Sequence, residues 1–225
     1  MEYLKSTIIV IALAFAGSCD SAHDSRNSSG EQKEHASHSN EVTHKHDDHD
    51  SMPHDEPTDM SLYHLSSQWK TQEGEIVTLQ DLKGEVQVLA MVYTTCQYAC
   101  PRIVADLKDI ESKLQLEGVN RDAHFVLVSI DPKVDTVGRL KKFAEDNGLN
   151  PAEWTLLNGE ENGILELAAL LGVKYKKTSA SDYAHSNIIT ILNAEGEVAY
   201  QQVGLGSDPT QTIDVILREV TKHSR

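Results

Sequence analysis

Cysteine is scarce in this sequence, with only Cys19, Cys96 and Cys100 among 225 residues. Long apolar runs are missing too. The N-terminal stretch Ile8 to Phe15 falls short of the roughly 20 residues a membrane-crossing helix needs, although it suits the core of an export signal. Positive charge is in deficit, since 20 Lys and Arg stand against 35 Asp and Glu for a formal charge of -15. A surface of that sign repels phosphate backbones, so nucleic acid is not an expected ligand, whereas cationic partners are compatible with it. Proline is absent between Pro151 and Pro209. No internal repeat is visible, and the length suits one packed domain with terminal extras.

At the N-terminus Lys5 precedes the apolar stretch, and the small residues Ala16, Gly17 and Ser18 lead directly into Cys19. This order predicts a signal peptide over residues 1–18 and resembles the bacterial lipoprotein signal, in which the cysteine becomes the lipidated first residue. Ala16 departs from the pattern, since leucine is commoner there. An ordinary cleaved signal with a chance cysteine is the alternative. A lipid at Cys19 would anchor the chain to a membrane in the bacterial cell envelope, on its extracytoplasmic side.

Residues 20–59 hold 11 acidic and 3 basic side chains, almost no large apolar ones, and no helical or strand periodicity. They are expected to be a disordered linker, with the domain occupying residues 60–225. The segment also carries His23, His35, His38, His44, His46, His49 and His54. Imidazoles at such spacings on a flexible chain can chelate Cu(II), Ni(II) or Zn(II), which makes His35, His38, His44, His46, His49 and His54 candidate weak metal ligands. A plain spacer is the alternative.

Within the domain, apolar blocks alternate with amphipathic stretches. Strands are expected at Ile76 to Leu79, Val86 to Tyr93 and His124 to Ile130, with a further short apolar segment at Trp154 to Leu157. Helical stripes run through Ile103, Leu107, Ile110 and Leu114, through Val137, Leu140, Phe143 and Ala144, through Ile164, Leu167, Ala168 and Leu171, and through Ile213, Ile216, Leu217 and Val220. A hairpin is expected where Asn193 to Gly196 separates two strand-like runs. This order predicts an α/β fold with a central mixed sheet flanked by helices, compatible with a thioredoxin-like fold.

Cys96 and Cys100 lie at a strand-to-helix junction, and Pro101 suits the first helical turn. If the turn between them is helical, their spacing of four residues points both sulfurs to the same side. Unpaired N–H groups at a helix start favour thiolate over thiol, which serves nucleophilic attack and metal ligation alike. The spacing does not decide between the two. A structural disulfide would close only a five-residue loop and so stabilise little. Two soft thiolates suit Cu(I), and an imidazole would complete a three-coordinate site. Of the domain's histidines, His64, His124, His185 and His223, only His185 stands in a loop that would face the cysteines in a thioredoxin-like fold; here that loop is the polar stretch Ser181 to Ser186.

Three separated segments in order resemble the SCO/SenC family of copper chaperones over residues 62–220. Tyr93-Thr94-Thr95-Cys96 through Cys100-Pro101 is similar to its CxxxCP site, Ser129-Ile130-Asp131-Pro132 with Asp135-Thr136 to its SxDPxxDT segment, and Asp182 to Ser186 to its histidine loop. The resemblance implies a thioredoxin fold that binds Cu(I) or Cu(II) through Cys96, Cys100 and His185. It also implies delivery of copper to the binuclear centre of cytochrome c oxidase subunit II or a similar copper enzyme, and allows reduction of that centre's cysteines. Ala184 departs from the family, which often has an acidic residue before the histidine. Asp131 could support the site or simply form a turn with Pro132. The rival functions are a general thiol-disulfide oxidoreductase using Cys96 and Cys100 without metal, a metal-sequestering lipoprotein relying on the histidine segment, and, less strongly, a peroxiredoxin-like peroxidase. Against the first, no proline stands in the loop where thioredoxin-like reductases carry one opposite the cysteines.

Overall fold

The computed structural model describes residues 58–119, 121–179 and 182–223. The expected signal, Cys19 and the seven histidines from His23 to His54 lie outside the described residues. No helix among the described residues is long and apolar enough to cross a membrane.

The strands are β1 (Trp69–Thr71), β2 (Ile76–Val77), β3 (Val86–Val92), β4 (Ala123–Ser129), β5 (Trp154–Gly159), β6 (Tyr175–Lys177), β7 (Tyr183–His185), β8 (Ile188–Leu192) and β9 (Val198–Val203). The helices are α1 (Ala99–Leu116), α2 (Val137–Asn147), α3 (Glu161–Leu170) and α4 (Thr210–His223). Seven strands form one sheet in the order β2-β1-β5-β4-β3-β8-β9. β3, β4 and β5 are parallel, whereas β1 and β8 pair antiparallel to β5 and β3. The central mixed sheet expected from the sequence is thus present. β6 and β7 pair only with each other in a separate ribbon.

All seven residues of β3 are buried, as in a strand covered on both faces. Alternation along β9 shows what covers them. Gln202 accepts a hydrogen bond from Thr212 of α4, while the amide of its neighbour Gln201 donates to the Leu171 carbonyl at the end of α3. Successive strand residues point to opposite faces, so α4 and α3 lie on opposite sides of the sheet. α1 packs against α4 and is tied to α2 where Lys108 Nζ donates to the Asn147 carbonyl at 2.7 Å. Between sheet and helices, the rings of Phe125 and Trp154 stack with centroids 4.6 Å apart. α2 ends where Gly148 adopts φ 64, a left-handed conformation that lets its N–H close on Ala144 and Glu145.

Three local expectations need correction. The strand expected over Ile76 to Leu79 stops at Val77, because Asp81 accepts from both the N–H and the hydroxyl of Thr78 and turns the chain into a single 3₁₀ turn. The short strand Trp69–Thr71 is present where none was expected; three residues are too few to show a period. The histidine segment is not simply a loop. Tyr183–His185 form β7, paired with Tyr175–Lys177, so that Tyr175 faces His185 across the ribbon.

Candidate metal centre

β3, β4 and β5 run parallel, and their C-terminal ends open onto one edge of the sheet. The chain leaving β3 turns through Tyr93, Thr94 and Thr95, and the Cys96 N–H bonds the Tyr93 carbonyl at 3.2 Å. Asp135, wholly buried, holds this turn in place. It accepts from the Thr94 N–H at 3.1 and 3.3 Å, from the Thr94 hydroxyl, and from Ser129 Oγ at 2.6 Å. A buried carboxylate is tolerated when its lone pairs are filled in this way. Arg139 Nε in turn donates to Thr94 Oγ1 at 2.9 Å. One carboxylate therefore ties the loop after β3 to the loop after β4.

α1 begins at Ala99, which makes Cys100 its second residue and leaves Pro101 in the first turn. The Cys100 N–H points at Cys96 Sγ at 3.4 Å, so the Cys96 sulfur takes the place of a capping group at the helix start. Burial pushes the Cys96 thiol up. The N–H groups of Cys100 and Tyr98 and the side chains of Tyr93 and Cys100 outweigh this, leaving it more acidic than an ordinary cysteine. Cys100 is fully buried, and burial pushes its thiol well above the usual range, only partly offset by the Tyr93 N–H at 3.5 Å. A cation at the sulfurs would reverse that bias, since coordination stabilises thiolate outright.

His185 comes in from the ribbon. Its Nδ1 lies 3.0 Å from the Ser186 carbonyl, which can only accept, so Nδ1 carries the hydrogen and Nε2 keeps its lone pair. Nε2 lies 3.9 Å from Cys100 Sγ. Burial lowers the imidazole's basicity more than the Ser186 carbonyl raises it, so the ring stays neutral, the form a ligand requires. The donor atoms of Cys96, Cys100 and His185 all lie within 4.8 Å of one another. In a planar three-coordinate site with metal-to-donor bonds of about 2.0 to 2.3 Å, donors sit about 3.5 to 4 Å apart, so small side-chain adjustments would suffice. Among the described residues this is the only such group of three.

The other domain histidines lie elsewhere. His124 sits in β4 with Nε2 2.8 Å from Thr155 Oγ1, His64 is exposed with Nε2 2.8 Å from the Thr58 carbonyl, and His223 ends α4. Asp131 serves the turn after β4, its carbonyl accepting from the N–H groups of Val134 and Asp135. Its buried side chain interacts with Tyr183, the residue two before His185. Sequence reasoning passed over Asp135, whose only signal was its place in the segment Asp131 to Thr136. It gave Tyr93 no role of its own, taking it as the end of an apolar strand and the first residue of the cysteine motif.

Comparison with known proteins follows the same residues. Residues 58–221 match the protein family described as SCO1/SenC. A protein described as a SCO1 homolog, from Bacillus subtilis (strain 168), is 30% identical over 148 residues, covering 64% of this chain and 76% of its own length. Among solved structures, BsSco, a member of the Sco family of cytochrome c oxidase assembly proteins in which a disulfide switch was identified, superposes with a TM-score of 0.61 at 29% identity, over 68% of this chain and 91% of its own. ScoI of Arabidopsis thaliana with copper bound has a TM-score of 0.61 at 23% identity, over 69% and 96%, a likeness of fold. The thioredoxin-like α/β architecture is common to this chain and these structures.

Proposed function

The chain belongs to the SCO1/SenC family, and from that premise we propose that it carries one copper ion on Cys96 Sγ, Cys100 Sγ and His185 Nε2 and delivers it during assembly of cytochrome c oxidase. The convergence of those three donor atoms within 4.8 Å is the observation that carries the reading. Copper is cargo here rather than a resident cofactor. The softness of two sulfurs suits Cu(I), and the imidazole gives Cu(II) a nitrogen donor as well. A copper-bound fold relative and a relative named for oxidase assembly support the direction. The recipient we favour is the binuclear copper site of subunit II.

The same reading assigns residues 1–18 to a cleaved export signal, Cys19 to a lipid anchor on the extracytoplasmic side of a bacterial membrane, and residues 19–59 to a linker. His35, His38, His44, His46, His49 and His54 would hold further metal weakly.

A second reading has a specific observation behind it, the inequality of the two thiols. Cys96 is partly exposed and acidic, whereas Cys100 is buried and resists ionisation. That is how an attacking and a resolving thiol differ. The Cys96 thiolate would attack a partner's disulfide and release one partner thiolate. Cys100 would then displace the partner, leaving a Cys96–Cys100 disulfide and a reduced partner. Reduction of a recipient's cysteines before copper delivery would combine both readings.

The test is an anaerobic Cu(I) titration of the reduced full chain against a competing chelator, alongside Cys96→Ser, Cys100→Ser and His185→Ala. One tight equivalent that weakens in all three variants supports copper carriage. Binding indifferent to His185 would shift the assignment to thiol-disulfide exchange.

A further inference from the structure

Tyr93 touches everything that makes the site. Its N–H points at Cys100 Sγ at 3.5 Å. Its hydroxyl accepts from the Tyr183 N–H at 3.3 Å and lies 3.4 Å from the Tyr183 carbonyl. Its ring stands edge-on to the His185 imidazole, with centroids 5.8 Å apart at 81°. The β6–β7 ribbon that carries His185 shares no strand pairing with the main sheet; it enters β8 through Ser186 and Asn187, where the Gly204 N–H bonds the Asn187 carbonyl at 2.9 Å, and Tyr93 adds a side-chain hold at Tyr183.

The geometry points to Tyr93 as a positioning residue whose phenolic hydroxyl holds the His185-bearing strand over the cysteine pair. This rests on Cys96, Cys100 and His185 binding copper, as proposed above. The hydroxyl accepts from the Tyr183 N–H and turns its own hydrogen toward the Tyr183 carbonyl, so both contacts fall on one residue of β7, two before His185. Together with the ring set edge-on to the imidazole, they fix where the strand brings the His185 ring. A group that orients a ligand supports the affinity of the site that ligand serves.

Tyr93→Phe keeps the buried ring and removes only the hydroxyl, so the full-length variant should fold and isolate the hydroxyl's part. Tyr175→Phe is the control: it removes a hydroxyl from the same ribbon, from a ring 6.4 Å from that of Tyr183. In the metal-free protein, the Tyr183 amide should exchange with solvent deuterium severalfold faster in Tyr93→Phe than in wild type or control. With copper, Tyr93→Phe should bind Cu(I) roughly ten- to hundredfold more weakly, the usual effect of losing a group that orients a ligand. Tyr93→Phe matching wild type in copper affinity would overturn the proposal, and a change in amide exchange alone would make Tyr93 a structural tether only. In either case the weakening by Cys96→Ser and His185→Ala would leave the copper assignment standing. Wild-type protein that took up no tight copper would remove both.

Discussion

His185 presents Nε2 to Cys100 Sγ at 3.9 Å because its other ring nitrogen is held at 3.0 Å by the carbonyl of Ser186. The holding group is main chain. Ser186→Ala should therefore leave Cu(I) affinity within about twofold, whereas His185→Ala should weaken it by more than about a hundredfold, beyond the usual effect of losing only an orienting partner. Chelator competition on the two variants checks both.

Asp135→Asn tests the anchor of the cysteine loop. An amide cannot accept from the Thr94 N–H, the Thr94 hydroxyl and Ser129 Oγ as a carboxylate does, and its own N–H atoms meet donors. A loss of about 2 to 3 kcal/mol is expected, read as a lower urea midpoint at unchanged slope. Copper affinity should fall too, since the same loop sets Cys96.

Alkylation distinguishes the two thiols. With Cys96 more acidic than usual and Cys100 much less so, iodoacetamide at neutral pH should label Cys96 first in the native reduced protein. Denaturant should abolish the preference. Peptide mapping by mass spectrometry reads the order, and equal native rates would contradict the environments described.

The stability of the metal-free protein should depend on pH through His124. Burial lowers this imidazole's basicity against the opposing pull of Glu85 and Glu153, so the unfolded chain takes up the proton more readily than the folded one. Its contribution is fully present above about pH 6.5, falls as the pH drops below that, and levels off once the pH has passed the folded value. His185 acts in the same sense. His124→Gln should flatten the slope of urea midpoint between pH 7 and pH 5, and an unchanged slope would count against this account.

Much of the architecture was legible in the sequence because it rests on strong periodicity. The continuous apolar run ending at Tyr93 and the four helical stripes each bury a face that the structure does bury. Cys96 and Cys100 stand out because cysteine is scarce, whereas His185, one of four histidines in the domain, was reached only through the place of its loop in a thioredoxin-like fold. The strand β7 was hidden because a three-residue strand has no measurable period, and its partner Tyr175–Lys177 is as short. Asp135 and Tyr93 escaped for another reason. An aspartate before a helix reads as a turn or capping residue, and a tyrosine after an apolar run reads as core, until tertiary contact shows what each faces.

The separateness of the β6–β7 ribbon has a mechanical consequence. Both sulfurs belong to the rigid body of the domain, one following β3 and the other in α1, but the nitrogen rides on a two-stranded arm that is marginal by itself. Lifting that arm would draw Tyr175 and Tyr183 off the edge of the core but leave every strand pairing of the main sheet intact. Cu(I) accepts two sulfurs alone, so the ion could stay seated on them while the histidine swings clear. The threshold for surrendering the cargo would then be set by how firmly the arm is latched, and an incoming acceptor would need to unfasten only that latch.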